Sequence, residues 1–234
     1  MADSGELRRR IKVCLFDQYG TIVDMQAGLR ALAAPFLAAK GWPGDADAFV
    51  TWWRRTHFEN SMIDALLGRG HTPYREIGHI SLRHVMARAG IAHTEADVRA
   101  LVAGIERLTC FPEVPAALAR LRTKYRLAVL SNGDPDMLEA AKPHHGIAFD
   151  TVLSAAEAGA IKPHRATYEM AARRMGVAMD AVLFVANHEF DCVGAKSAGM
   201  HTAFIDRRHR PFAPWPHQPD LVLPTMTALA DAMA

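Results

Sequence analysis

The stretch Val13–Asp24, VCLFDQYGTIVD, decides how this chain is read. An apolar run ends at Asp17, and the turn residues Gly20 and Thr21 follow closely. Short apolar runs recur at 11–16 (IKVCLF), 127–130 (LAVL), 182–185 (VLFV) and 202–205 (TAFI), with weaker ones at 151–154 (TVLS) and 221–223 (LVL). Continuous apolar strands alternating with helical patterns predict a parallel sheet covered on both faces. Such sheets carry their sites outside the carboxyl ends of the strands. The residues to inspect are therefore Asp17 after the first run, Ser131 after the second, and the segment ANHEFD (186–191) after the run at 182–185, which reads as a loop.

The region 26–108 has a different texture. DADAFVTWWRRTHFENSMIDALL places Phe49, Trp52, Trp53, Met62, Leu66 and Leu67 at the spacing of an amphipathic helix, and ISLRHVMARAGI suits another. GRGHTP (68–73) reads as a loop between helices. The expected architecture is α/β: a Rossmann-like parallel-sheet core (1–25 and 109–234) with an inserted helical cap domain (26–108).

Composition narrows the function classes. The 234 residues can bury one sizeable core or a core and a smaller cap, and a 50% hydrophobic content argues against disorder. Lys and Arg number 27 against 25 Asp and Glu, so nothing in the charge balance calls for a nucleic-acid or membrane partner. Cys14, Cys110 and Cys192 contain no CxxC pair and read as reduced thiols. MADSGELRRR carries charges where a signal peptide needs an apolar stretch, and no run reaches the length of a membrane span. A soluble cytoplasmic protein acting on a small molecule is expected. His144 and His145 are adjacent, lie poorly for one ion and have no third ligand at useful spacing, so no metal is assigned to them.

Four stations line up in the order strand-end Asp17 (FDQYGT), strand-end Ser131 (LSNG), Lys162 (IKPHRATYEMA) and Asp191 (VANHEFDCVGAKSAGM). That ordered set, with a helical insert between the first two, resembles the haloacid dehalogenase superfamily over nearly the whole chain. The resemblance implies that Asp17 is the nucleophile. Most members are magnesium-dependent phosphatases, with a second acid two residues on and an acidic pair in the last motif. Here those places hold Tyr19, Ala186 and Asn187. A hard cation wants oxygen ligands, and too few remain, so no metal and no cofactor is expected.

The closer resemblance is to the L-2-haloacid dehalogenase subfamily. It rests on Asp17, Tyr19, Gly20 and Thr21; on Ser131, Asn132 and Gly133; on Lys162 and Pro163; on Asp191; on Arg54 in WWRRTHFE; and on Tyr168 in RATYEM. It implies that Asp17 displaces the α-substituent of a short L-2-substituted acid, forming an ester that water then opens at its acyl carbon. Lys162 would hold Asp17 ionised, and Asp191 would orient Lys162 or activate the water. Ser131 and the backbone amides of Gln18 and Tyr19 would receive the substrate carboxylate. Arg54 and Asn132 would face the substrate or leaving group, and only one of the neighbours Arg54 and Arg55 is expected to turn inward. A homodimer is usual among such relatives.

The last loop departs from the subfamily. Ala186, His188, Glu189 and Phe190 stand where Ser, Asn, a small residue and Trp are typical, and with Asn187 they would surround the leaving group. A carboxylate from Glu189 would oppose a departing halide and favour a departing ammonium. The favoured expectation is thus C–N ring opening of L-azetidine-2-carboxylate, the alternative release of halide from an (S)-2-haloacid. A residual phosphatase and a binding protein on an inactive scaffold are the competing classes.

Overall fold

The computed structural model describes residues 4–68 and 70–234. A short helix α1 (Ser4–Arg10) leads into the strand β1 (Val13–Phe16). Four helices follow: α2 (Met25–Ala39), α3 (Ala46–Leu67), α4 (Tyr74–Arg88) and α5 (Glu95–Ala103). The chain then runs through α6 (Val114–Leu121), β2 (Arg126–Ser131), α7 (Pro135–His145), β3 (Thr151–Ser154) and α8 (Arg165–Met175). It ends with β4 (Val182–Ala186), α9 (Glu189–Ala198), β5 (His201–Ile205), β6 (Leu221–Leu223) and α10 (Met226–Met233).

The six strands pair in parallel in the order β3-β2-β1-β4-β5-β6. The sheet grows one way from β1 to β2 and the other way from β1 to β4. A crevice opens at such a reversal, outside the carboxyl ends of the strands. Asp17 sits there as the residue after β1, its N–H donating to the Val185 carbonyl of β4 at 3.0 Å. The first strand is shorter than the apolar run that announces it. Ile11 closes α1 by donating to the Leu7 carbonyl, and Lys12 donates to Ala181, so pairing in the sheet begins at Val13.

Alternate residues of β1 serve opposite layers. Val13 and Leu15 pack with Tyr168, Met170 and Ala195 of α8 and α9. Cys14 and Phe16 join a larger cluster that continues through α6 and α10 into the helical insert, where Leu29, Phe49, Trp53 and Leu82 are buried. Each such side chain contributes about 1.5–3 kcal/mol on burial, so insert and sheet face share one continuous apolar interior.

The insert leaves and rejoins the core at one place. Val23 bridges Cys110 antiparallel, Asp24 donates to the Thr109 carbonyl at 3.0 Å, and Phe111 donates to Ile22 at 3.0 Å. Asp24 caps α2, Asp45 caps α3, and Thr94 with Asp97 forms a capping box on α5. At α4 the N-cap position is Pro73, which has no side-chain cap. Asp134 of the core supplies one instead, accepting from Tyr74 N at 2.8 Å and Arg75 N at 2.9 Å. No helix among the described residues is long and apolar enough to cross a membrane.

Helix α9 meets α8 at Gly194. A Cβ there would lie 2.6 Å from Pro163 and 2.7 Å from the Tyr168 hydroxyl, both held rigidly. Helix propensity alone would make Gly194→Ala stabilising by about 0.5–1 kcal/mol. The overpacking should outweigh that, with a net loss of about 1–3 kcal/mol in urea denaturation. An unchanged or higher midpoint would show that α8 yields.

Candidate active site

Asp17 and Lys162 are nearly inaccessible to solvent, at 5% and 1% exposure, and Asp191 is fully buried at 0%. They arrive from three places: the end of β1, the segment before α8, and the first turn of α9. The Lys162 Nζ donates to Asp17 Oδ1 at 2.7 Å and to Asp191 Oδ2 at 2.8 Å. Thr21 donates its hydroxyl to Asp17 Oδ2 at 2.6 Å, and the Tyr168 hydroxyl donates to Asp191 Oδ1 at 2.8 Å. Thr21 Oγ1 in turn accepts the Asn187 N–H at 2.9 Å. Lys162 is held from behind as well, its own N–H donating to Asn132 Oδ1 at 2.8 Å.

This arrangement treats the two carboxylates differently. Burial pushes the Asp17 pKa up, but the Lys162 charge and the bonds from Lys162 and Thr21 outweigh it, so Asp17 titrates below its ordinary 3.8. Burial also pushes Asp191 up; Lys162 opposes this, the Asp17 charge reinforces it, and Asp191 titrates above 3.8. Burial would depress Lys162, yet its two carboxylates raise it, so it stays an ammonium. The result is one ionised, oriented carboxylate with low proton affinity at the edge of a cavity, as a nucleophile requires.

The cavity has a volume of about 360 Å³ and lies between the sheet edge and the helical insert. Of the residues singled out from sequence, Asp17, Tyr19, Arg54, Asn132, Lys162, His188 and Phe190 line it. Asp191 and Tyr168 lie beneath, forming the support of Lys162. The side chain of Ser131 is buried and accepts the Gly133 N–H at 3.2 Å. Gln18 is buried against a separate hollow beside Val129 and Leu138, leaving only its backbone near the site. Asn187 donates its side-chain amide to the Ile205 carbonyl and lines a neighbouring groove rather than the cavity.

The segment after β4 differs from the sequence expectation. Asn187 and His188 alone form the connection, and Glu189 opens α9. Glu189 is not on the cavity wall. His188 Nε2 lies 2.8 Å from the Tyr19 carbonyl, which can only accept, so that nitrogen carries the proton. Gly20, with φ +91°, makes room for this: a Cβ there would lie 3.0 Å from His188 Nε2 and 3.3 Å from Arg54 Nη2. The His188 ring stacks on Phe190 at 5.3 Å, and Phe190 meets Phe58 of the insert at 4.5 Å.

Several lining residues carried no motif. Arg55 lines the cavity beside Arg54, so both neighbours reach it. His57, Phe58 and Ser61 follow along the same face of α3, a helical spacing present in the sequence. Tyr74 stacks on Tyr19 at 5.8 Å, and His57 lies 4.1 Å from Tyr74. Burial pushes the His57 imidazole down to about 3, so it is neutral, and it pushes the Tyr19 phenol well above its ordinary value. Arg208 comes from the segment after β5, where nothing in the sequence marked it. Arg54 donates to Gln26 Oε1 at 2.8 Å. Burial and then the charge of Arg208 lower its pKa.

Comparisons with known proteins point to one family. The chain is 32% identical to an (S)-2-haloacid dehalogenase of Xanthobacter autotrophicus, over 84% of this chain and 76% of that protein. A crystal structure of an L-2-haloacid dehalogenase superposes with a TM-score of 0.88 at 30% identity, covering 94% of this chain and 97% of that one. The L-2-haloacid dehalogenase of Xanthobacter autotrophicus with chloropropionic acid covalently bound superposes with a TM-score of 0.82 at 28% identity, covering 94% and 97%. The model of the haloacid dehalogenase-like hydrolases matches residues 11–199, and the chain belongs to that hydrolase family, on its L-2-haloacid dehalogenase branch.

Proposed function

We propose that this hydrolase acts on the carbon–halogen bond of short (S)-2-haloacids. The observation that carries the reading is Asp17, ionised and aimed by Lys162 and Thr21, on a cavity whose other charged walls are arginines. An Asp17 oxygen attacks the α-carbon, the carbon–halogen bond breaks, and halide leaves with the electron pair. The product is an aspartyl ester of inverted configuration. Water then adds to the acyl carbon of that ester, the acyl–oxygen bond breaks, and a 2-hydroxy acid and a proton are released. Lys162, turned toward Asp17 by Asp191, would stabilise the oxyanion of the second step. The covalently bound chloropropionic acid in the Xanthobacter relative supports the ester.

The amine-leaving reading loses its motive. It depended on a carboxylate beside the leaving group, and Glu189 does not line the cavity. Arg54, Arg55 and Arg208 do, and three guanidinium groups oppose an ammonium while favouring a halide. Chloride release from L-2-chloropropionate is therefore expected, with L-azetidine-2-carboxylate left intact. Turnover of the azetidine alone would overturn the assignment.

In heavy-oxygen water, a single turnover should place label in Asp17 before it reaches product. Asp17→Asn should lower kcat by roughly 10⁴-fold or more, the scale for loss of a covalent nucleophile. Label entering product directly in the first turnover would point to attack by water on the substrate instead.

Acidification should protonate Asp191 before Asp17, because Asp191 titrates above 3.8 and Asp17 below it. The acid limb of kcat/KM, which reports the free enzyme, is expected above 3.8. Asp191→Asn should lower the rate by about 10²–10⁴-fold, the range for a positioned acid–base group, and should remove that limb. An acid limb that persists unchanged in the variant would assign it to another group.

A further inference from the structure

The cavity holds more positive charge than a monocarboxylate substrate can use. Asp17 and Asp191 are answered by Lys162 between them. Arg54, Arg55 and Arg208 remain on the wall; Asp24 and Asp47 line the adjoining groove with them, but among the described residues neither forms an ion pair with any of the three. Arg54 is pinned at the inner end, with Nη1 on Gln26 and Nη2 against Gly20 beside the His188 ring. It is placed to meet the leaving group or the α-carboxylate. Arg55 and Arg208 are exposed and come from different elements, one from α3 of the insert and one from the segment after β5 of the core. Like charges gathered in one cleft repel one another, and after burial it is the charge of Arg208 that lowers the proton affinity of half-buried Arg54. An anionic ligand reaching beyond the α-carbon removes that repulsion.

We infer that the cavity accepts 2-halo-dicarboxylates such as L-2-chlorosuccinate, the second carboxylate lying between Arg55 and Arg208. This rests on the dehalogenase reading above. Size permits it, since about 360 Å³ falls within the roughly 300–1,000 Å³ of small-molecule sites. Guanidinium groups suit the task because their planar donors match a carboxylate two at a time. Bonds and charges balance as before. The Asp17 oxygen–carbon bond forms as the carbon–chlorine bond breaks, chloride departs, and water opens the ester to 2-hydroxysuccinate and a proton.

The test is steady-state chloride release from L-2-chlorosuccinate and from L-2-chlorobutyrate, an acid of the same chain length without the second charge, with L-2-chloropropionate as reference. The expected result is a kcat/KM for chlorosuccinate at least tenfold above that for chlorobutyrate, carried mostly by KM. In Arg55→Gln and Arg208→Gln that ratio should fall about tenfold. A chlorosuccinate rate equal to or below that of chlorobutyrate, or a ratio unmoved by both substitutions, would overturn the inference. Chloride release from chloropropionate in that same experiment would leave the dehalogenase reading standing. Release from none of the three would sink that reading itself.

Discussion

A buried lysine between two carboxylates is the constraint on which the rest depends. Charges this deeply buried are tolerable only when each is paired and hydrogen-bonded, and removing one partner of a buried pair costs about 3–5 kcal/mol. Lys162 has both partners, and each carboxylate has a further hydroxyl donor, from Thr21 and Tyr168. The three charges come from the end of β1, the segment before α8 and the first turn of α9, so the group that does the chemistry also ties those segments together at the carboxyl edge of the sheet. Three ions also cannot be neutral together. Two carboxylates compete for one ammonium, and Asp17, with Thr21 as second donor, keeps its charge more firmly than Asp191.

The second constraint is that the insert must meet the core in one position. Asp134, at the start of α7, accepts two free N–H groups at the head of α4, where charge and helix dipole act together. Arg75 adds bridges to Glu106 and Asp136. At the hinge, Arg207 bonds Glu113 and the Thr21 carbonyl and lies 3.7 Å over the Phe111 ring. These contacts bring Tyr74 onto Tyr19 and Phe58 onto Phe190, so aromatic walls from both units close the cavity.

Much of this was legible in the sequence, for identifiable reasons. Parallel strands buried on both faces leave continuous apolar runs, and all six runs became strands. The residues ending those runs could then be placed at one edge of the sheet before any contact was known. Other features leave no such trace. ANHEFD reads as a loop because His188 is not a residue type that signals a helix start, yet α9 begins at Glu189, whose carboxylate is not on the cavity wall. Asp134 belongs to no motif, and its partners are backbone groups 60 and 59 positions away. Adjacent helix positions point about 100° apart, which predicts that only one of Arg54 and Arg55 turns inward. Long flexible side chains at a cavity mouth escape that rule, and both arginines reach the wall.

The arginines make most sense as part of the charge flow in the proposed displacement. Before attack, the negative charge sits on Asp17, next to Lys162. After attack, Asp17 is a neutral ester and the charge has moved to the halide across the α-carbon. Cations are therefore needed at both ends of that path, and the cavity is lined by Lys162, bonded to Asp17, and by Arg54, bonded to Gln26. A guanidinium without a carboxylate partner is costly to keep half-buried, and Arg54 shows that cost in its lowered proton affinity. In this reading its counter-ion is made by the reaction, so the interaction is strongest where charge develops and weakest before it does. That is the condition for lowering a barrier rather than tightening binding. A departing amine would take up a proton and present the wrong sign to the same group.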